Sequence, residues 1–498
     1  MSLLPGVEKS QAAHLMSRDL DWTADDARAL GEQGLSLWCE LLRTLRERPV
    51  SSSWSTAALA AITPSIPDEP ISNDELMGIA RKVLFEFATY AGHPRFMGYI
   101  CGAGTVPGAV ADLLAAALNA NAGGFRVGPG AITIEVHLTR WFATEVLGLP
   151  LGAFGIFTSG GALANLVALK AARDACGGPS VRESGMSGAP MAIYASEEAH
   201  VVIDRAVDIL GMGARCLRKI PTDNAGRMRI DALERTLEQD VKTGVVPAAI
   251  VATAGTTATG AIDPLDELAE LAARRRAWFH VDGAYGAVAC LSERLKPLFR
   301  GIERADSIAF DPHKWLSTPV GGGCVVARDP EKLERAFGMP LPAVVRQDKQ
   351  RTGDGMDLGV YGPEFSRPFY AFKVLFSLLA HGRRPYAASI ERNVDLARYL
   401  AELVDAHPNM ERMSHGKLSI CCFRYIPPAL RDNDEALDVL NERLMTELQV
   451  DGRAFCSGAV VRGRFALRAC IVNFRTRKDD VDALLRVVED IGTRLGPS

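Results

Sequence analysis

Two rhythms of apolar residues run through the chain from about residue 108. A period near 3.6 predicts helices over 108–120, 162–175, 199–210, 230–240 and 264–275. Between them lie short, nearly continuous apolar runs. These are "MAIYAS" at 191–196, "RCLRKI" at 215–220 and "AAIVATAG" at 248–255, then "WFHVDGAY" at 278–285, "SIAFD" at 307–311 and "GCVVARD" at 323–329. Strands that are apolar on both faces and alternate with helices predict a mostly parallel sheet covered by helices, an α/β fold.

After residue 364 the pattern changes. One long helical stretch, 364–406, precedes "KLSICCFRY" and "FALRACIVNF", two strand-like runs set among helices. That predicts a small α+β domain. Ahead of the alternating region, "VSSSWSTAALAAITPSIPDEP" at 50–70 reads as a linker leaving an N-terminal helical segment. The expected division is 1–107, 108–363 and 364–498. A chain of 498 residues exceeds what a single core usually serves.

Composition narrows the function. Hydrophobic residues make up 48% and charged residues 23%, as in ordinary globular proteins. A net charge of −4 gives no electrostatic case for a nucleic-acid partner, and no basic run suggests a membrane surface. The ten cysteines form no CxxC pair, so neither a metal site nor a disulfide framework is expected. Reduced thiols in a cytoplasmic protein are the simplest reading. The start, "MSLLPGVEKS", lacks the basic and apolar regions of a signal peptide. No apolar stretch reaches the ~18 residues of a membrane span.

In open α/β sheets, ligands bind beyond the carboxyl ends of the strands. Those ends carry chemistry here. "FTSGGALANL", 157–166, is a glycine turn opening a helix. His200 follows the strand at 191–196, and Thr256 and Thr257 follow the next. Asp282 ends "HVD", and Lys314 lies in "FDPHKW". Each alone has an ordinary explanation as a turn, a cap or a solvated side chain. Their succession along one sheet edge has a chemical use. Free N–H groups of residues 160–162 and the helix dipole would hold an anion. A carboxylate facing a pyridine nitrogen keeps it protonated, and an imidazole can stack on the ring. A lysine in a partly apolar site forms a Schiff base with an aldehyde. These parts suit pyridoxal 5′-phosphate.

The order of glycine turn, histidine, aspartate and lysine resembles the fold-type-I pyridoxal-phosphate enzymes. "DPHKW" with "HVDGAYG" more narrowly resembles the group II amino-acid decarboxylases, which act on aromatic amino acids, glutamate or cysteine sulfinate. The likeness runs over roughly 75–498 and includes "HPRFMGYI", "TSGGALANLVALKAAR", "ATAGTTATGAIDPL" and "LRACIVNFRT". It implies decarboxylation of an L-amino acid to an amine, with Lys314 bonded to the cofactor and Asp282 paired with its ring nitrogen. It implies His200 over the ring and Ala284 beneath it. Gly161, Ala162 and Thr257 would lie near the phosphate or ring, and His313 beside the Schiff base. A homodimer is also implied, and the apolar stripe "LSLWCELL" in the N-terminal segment agrees with a buried partner face.

Two departures from the family stand out. The glycine turn commonly continues Ser-Glu-Ala-Asn, whereas this chain reads Ala162-Leu163-Ala164-Asn165. A hydroxyl contact to phosphate is lost. Family members also carry a loop tyrosine that protonates the intermediate. The comparable stretch 337–359 has no tyrosine or histidine, and Val344 or Val345 falls at that place. Tyr361 lies close by. Relatives without the tyrosine can divert to oxidative deamination and release an aldehyde. Another pyridoxal-phosphate lyase or transferase shares the same fold. Substrate choice is weakly encoded: Tyr99 matches the aromatic enzymes, Arg126 is a candidate to meet an acidic side chain, and Arg367 in "FSRPFY" matches a family arginine near the active site. A dinucleotide-binding oxidoreductase is disfavoured, because "GGG" at 321–323 precedes a strand and no GxGxxG opens a βαβ unit.

Overall fold

The computed structural model describes residues 20–52, 54–60, 62, 65–339 and 355–496. Its larger sheet has seven strands: β2 (Phe154–Thr158), β3 (Met191–Ser196), β4 (Leu217–Ile220), β5 (Val246–Thr253), β6 (Trp278–Asp282), β7 (Ser307–Phe310) and β8 (Gly323–Ala327). They lie side by side as β2-β8-β7-β6-β5-β3-β4. The pairs β3–β4, β3–β5, β5–β6 and β6–β7 are parallel, and β8 runs against both β7 and β2. Six strands therefore share one direction, and their carboxyl ends share one edge.

Burial on both faces explains why these strands read as apolar runs. In β3, Ala192 and Tyr194 enter one core while Ile193 and Ala195 enter the other. In β5, Ile250 and Ala252 alternate with Ala249 and Val251 in the same way. The helix Gly161–Gly177 covers the second face with small residues, Ala164, Ala168, Ala171 and Ala172, together with Val167 and Leu169. Small side chains let this helix sit close against the sheet. That closeness brings its first turn level with the strand ends.

The smaller sheet has the order β1-β11-β12-β10-β9. Its members are β1 (Phe96–Met97), β9 (Met410–Arg412), β10 (Ile420–Tyr425), β11 (Phe455–Val461) and β12 (Arg464–Cys470). One face packs on Leu396, Leu400 and Val404 of the helix Arg383–Ala406, on Leu440, Leu444 and Leu448 of Asp434–Asp451, and on Leu484, Val488 and Ile491 of Lys478–Leu495. The other face, with Ile420, Cys422 and Cys470, joins the core of the large sheet. A seam rather than a linker thus connects the two sheets.

The structure departs from the sequence reading in three places. The helical stretch expected over 364–406 is two helices, Tyr370–His381 and Arg383–Ala406. Gly382, at φ +78°, turns left-handed between them, a conformation that favours glycine. "FGIFT" is a strand, β2, with all five residues buried. Phe96–Met97, from the segment expected to be helical, adds a parallel strand to the small sheet, with Phe96 opposite Phe455.

The N-terminal helices Ala24–Thr44 and Asn73–Phe85 each begin with a capping box, Thr23 with Asp26 and Ser72 with Glu75. They are bridged by Arg81 and Glu40 at 2.6 Å. Neither helix contains a buried residue. Among the described residues, no helix is long and apolar enough to cross a membrane. All ten cysteines are free thiols.

Candidate active site

The carboxyl ends of β2, β3, β5, β6 and β7 converge on a cavity of about 130 Å³. Its wall includes Gly161, Ala162 and Asn165 from the helix after β2, and His200 and Val202 after β3. Thr253, Gly255 and Thr257 come from β5 and its loop, Asp282, Ala284 and Tyr285 from β6, and Asp311 and Lys314 from β7. Ile100 closes it from the N-terminal side. Larger clefts exist, such as one of about 550 Å³ beside Arg392, Tyr399 and Lys478. That one lies among outer helices, away from these strand ends.

Lys314 is placed by a turn in which its N–H donates to the Asp311 carbonyl at 3.0 Å. Its neighbour Trp315 is buried, stacks on Tyr285 with ring centroids 4.8 Å apart, and donates from Nε1 to Asn393. That anchor fixes the backbone on the carboxyl side of the lysine. Gly102 presses on the other side: a Cβ there would lie 2.3 Å from the Lys314 carbonyl oxygen. The amine Nζ pairs with Asp311 Oδ2 at 2.9 Å. The lysine side chain is 22% exposed and the aspartate 3%. So the amine is not on open surface; it is held at the cavity wall against a buried carboxylate.

Asp282 is buried, and its Oδ1 accepts the Ala284 N–H at 3.1 Å. Behind it runs a chain of hydrogen bonds with one consistent direction. Trp278 Nε1 donates to Ser307 Oγ at 2.8 Å, and the serine hydroxyl donates to His280 Nδ1 at 2.8 Å. His280 Nε2 donates to Asn165 Oδ1 at 2.8 Å, and Asn165 Nδ2 donates to the Gly161 carbonyl at 2.8 Å. The chain fixes the first turn of the helix Gly161–Gly177 against β6. Burial favours the neutral imidazole of His280 and pushes its pKa down to about 4.

His200 is likewise held below its ordinary value. Burial is the main cause and Lys314 adds to it, while Asp282 and Asp311 pull the other way. Its Nδ1 accepts the Val202 N–H at 3.1 Å. An uncharged imidazole face therefore borders the cavity. At the opposite wall the helix Gly161–Gly177 starts at Gly160, without a side-chain cap. Its first N–H groups and the positive end of its dipole suit an anion.

The structure gathers Gly161, Ala162, His200, Thr257, Asp282, Ala284 and Lys314 around this one cavity. It does not bring the other candidates there. His313 does not line the cavity; its ring lies beside Gly160, where a Cβ would be 3.9 Å from Cε1, and its Nδ1 donates to the Gly322 carbonyl at 2.7 Å. Tyr99 has a left-handed backbone, φ +51°, is 58% exposed, and sets its ring beside Phe455. Arg126 is exposed on a turn. Arg367 is buried in the core instead, where it bonds Glu135 at 2.5 Å and the carbonyls of Ala122 and Phe157. Its guanidinium is consumed by the fold, so it cannot meet a substrate side chain. Val344 and Val345 lie outside the described residues. Tyr361 is buried, donates to Glu334 at 3.4 Å and packs edge-on to Phe154, away from the cavity.

Sequence reasoning missed four residues. His280 and Asn165 stood inside the quoted motifs but gave no sign of pairing, because 115 positions separate them. Asp311 was visible only as part of "DPHKW". Arg468 stood inside "LRACIVNFRT" but gave no sign of reaching the cavity loops. It is 3% exposed at the centre of the small sheet. Its Nε donates to the carbonyls of Thr257 at 2.6 Å and Ala258 at 3.1 Å, and its Nη1 to the carbonyl of Tyr99 at 2.9 Å and to Ser457 Oγ. One side chain thus pins the loop after β5, the Tyr99–Ile100 segment and β11 together.

Cavity, lysine, carboxylates and helix end fit a phosphorylated aldehyde with a ring nitrogen. Comparison with known proteins agrees. The model of the pyridoxal-dependent decarboxylase conserved domain matches residues 57–426. The chain is 32% identical to an aromatic-L-amino-acid decarboxylase of Bacillus atrophaeus over 484 residues, covering 97% of this chain and 99% of that one. It is 28% identical to an acidic amino acid decarboxylase of Mus musculus, covering 84% and 77%. The crystal structure of Oryza sativa TDC with PLP and tryptamine superposes with a TM-score of 0.89 at 26% identity, covering 96% and 99%. The chain belongs to the group II pyridoxal-phosphate-dependent decarboxylases, with the fold-type-I architecture. It is an amino-acid decarboxylase whose cofactor is pyridoxal 5′-phosphate.

Two measurements check the supporting structure. His280 resists protonation in the folded state, so the unfolded chain takes up the proton first as pH falls. The stability it contributes is present above about pH 6.5 and is lost toward pH 4. Urea denaturation at pH 7 and pH 4.5 should show wild type losing about 2–3 kcal/mol more than His280→Gln over that interval. Arg367→Ala should cost about 3–5 kcal/mol of stability, because it strands Glu135 in the core. Replacing the pair together, with Arg367→Met and Glu135→Leu, should restore most of it.

Proposed function

We propose that this chain converts an L-amino acid with an aromatic side chain to its amine and CO₂, with Lys314 as the covalent carrier of the cofactor. The observation that carries this is the placement of Lys314, Asp282 and the uncapped helix start around one cavity. Pyridoxal 5′-phosphate supplies there a conjugated ring that accepts the electron pair left at Cα when CO₂ departs. Lys314 would hold the cofactor through its aldehyde, with the amine at the cavity wall. Asp282 holds a proton at the ring nitrogen, which keeps the ring electron-deficient. The N–H groups of Gly161 and Ala162 hold the phosphate without a hydroxyl from residue 162. His200 offers a neutral imidazole face to the ring, and Ala284 leaves room on its other side.

An aromatic substrate is supported by the lining. Ile100, Val202 and Tyr285 present apolar surface, and no arginine is among the described lining residues. Arg367 is spent on Glu135, and Arg126 points to solvent from its turn. A second reading, oxidative decarboxylation to an aldehyde, is favoured by one observation: Tyr361 is committed to Glu334. With no tyrosine hydroxyl from that position, a proton donor contributing about 10²–10⁴-fold would be lacking. Oxygen would then compete for the Cα electrons, giving aldehyde, CO₂, ammonia and peroxide from amino acid, oxygen and water.

A homodimer is supported by unpartnered apolar surface. The helix Val106–Leu118 exposes Val106, Val110, Leu113, Leu114 and Leu118 along one stripe. The N-terminal helix adds Leu35 and Leu42. Free thiols agree with a cytoplasmic protein.

Borohydride reduction of the cofactor-loaded protein, followed by peptide mapping, should place the label on Lys314. An unlabelled Lys314 would sink the carrier assignment. A panel of aromatic and acidic amino acids, assayed for CO₂, amine, aldehyde and oxygen uptake, should show aromatic turnover with amine as the main product. Oxygen uptake equal to CO₂ release would select the aldehyde reading. Light scattering should return twice the 53.6 kDa chain mass.

A further inference from the structure

Lys314 lies on a turn that borders two cavities; the turn is closed by the Ser317 N–H, which donates to the Lys314 carbonyl at 3.3 Å. Lys314 lines the catalytic cavity. Trp315 and Ser317, next along the turn, line a second cavity of about 300 Å³. Tyr386 and Phe474 add aromatic surface to it, and Pro107 and Pro385 add aliphatic surface. Trp315 and Tyr386 are buried, so packing fixes their rings. Val106 borders the cavity too, but the other exposed residues of the helix Val106–Leu118 do not. The proposed reaction gives this space no role.

Two arginines reach the cavity, Arg392 and Arg475. Neither pairs with a carboxylate among the described residues. Arg475 is half-buried. Its Nη1 donates one long hydrogen bond, 3.4 Å, to the Gly92 carbonyl, and its guanidinium lies 4.5 Å from the centroid of the Phe474 ring. Burial pushes its pKa down. Arg392 is exposed, and its Nη2 donates to Ser389 Oγ at 3.3 Å. The cleft of about 550 Å³ meets this cavity at Arg392 and Phe474. It brings Arg477 and Lys478, and its two carboxylates, Asp395 and Glu402, are both held by Arg398. Positive charge is therefore in excess where the two spaces meet.

A half-buried guanidinium without an anion has lost hydration that no partner replaces. Its planar fork matches a carboxylate, which accepts two parallel hydrogen bonds. Aromatic walls favour a flat ring. A volume of about 300 Å³ stands at the lower end of the range for small-molecule sites, which suits a molecule of one or two rings. We propose that this cavity is a second ligand site, which binds a small aromatic carboxylate with its charge at Arg475 and Arg392 and its ring among Trp315, Tyr386 and Phe474. The ligand needs no amine, and no covalent bond forms. The site does not depend on which substrate the catalytic cavity takes.

Indole-3-acetate is the probe, because it has no amine to enter the reaction, and indole-3-acetamide is its uncharged control. Titration calorimetry on the cofactor-loaded full chain should show the acid binding one site per chain, about tenfold tighter than the amide. Arg475→Gln and Arg392→Gln should each weaken the acid severalfold and leave the amide unchanged. In the double variant the two probes should bind alike. Amino-acid turnover should stay near wild type in all three, because neither arginine lines the catalytic cavity, and this reports that the variants fold. Arg392→Gln, at an exposed position, gives the same readout should Arg475→Gln fold poorly. A preference for the acid that survives both substitutions would place the probe elsewhere and overturn the inference. No binding of the acid to wild type would overturn it as well. Neither result bears on the assignment of Lys314.

Discussion

A parallel sheet buried on both faces has almost nowhere to put a polar group. In this chain the interior of β3 and β5 is apolar on either side, so a charge in mid-strand would cost several kcal/mol unless paired. Polar side chains can enter the large sheet cheaply only where the strands end. Six strands share one direction, so those ends share one edge. Lys314, Asp282, Thr257 and His200, distant in sequence, arrive at one cavity for this reason. The exception inside the sheet obeys the same rule: His280 is buried at mid-strand, is uncharged, and has partners at both ring nitrogens.

The edge becomes a site because buried contacts hold it rigid. The Trp278–Ser307–His280–Asn165–Gly161 chain ties three elements to one register. Close approaches at Gly102 and Gly161 leave no room for a Cβ, so those backbones stand in one position. Arg468 reaches across the seam from the small sheet to the loops carrying Thr257 and Tyr99. It donates to the carbonyls of Thr257, Ala258 and Tyr99, and Tyr99 has a left-handed conformation unusual for its type. The small domain is thereby part of the cavity wall's support, although few of its atoms face the cavity. Preorganisation of this kind is what a reaction that depends on bond orientation requires.

Charge is distributed with equal economy. Two carboxylates and one amine line the cavity, and the imidazole beside them is kept neutral mainly by burial. The nearby Arg367 is spent on Glu135 within the core, which removes a cation that would otherwise compete for substrate carboxylates or for Asp311. What remains is a small site with one amine and an anion-binding helix end, set against apolar surface from Ile100, Val202 and Tyr285.

The α/β architecture was legible from the sequence because both of its causes are local. Alternating apolar runs and helical periods follow from nearest-neighbour burial, and β3 begins and ends where its run does. The order of glycine turn, His200, Asp282 and Lys314 was legible too, since strand ends impose it. Where local rules competed, the sequence misled: Gly382 divides a stretch that reads as one helix, and "FGIFT" was hidden by the glycine turn that follows it. Tertiary structure alone decided which arginine is structural, which histidine is a core relay, and that Asp311 meets both Lys314 and Gly161. The first two depend on pairs 232 and 115 positions apart, Arg367 with Glu135 and His280 with Asn165. No local periodicity encodes them, because such pairs form only when elements distant in the chain pack together.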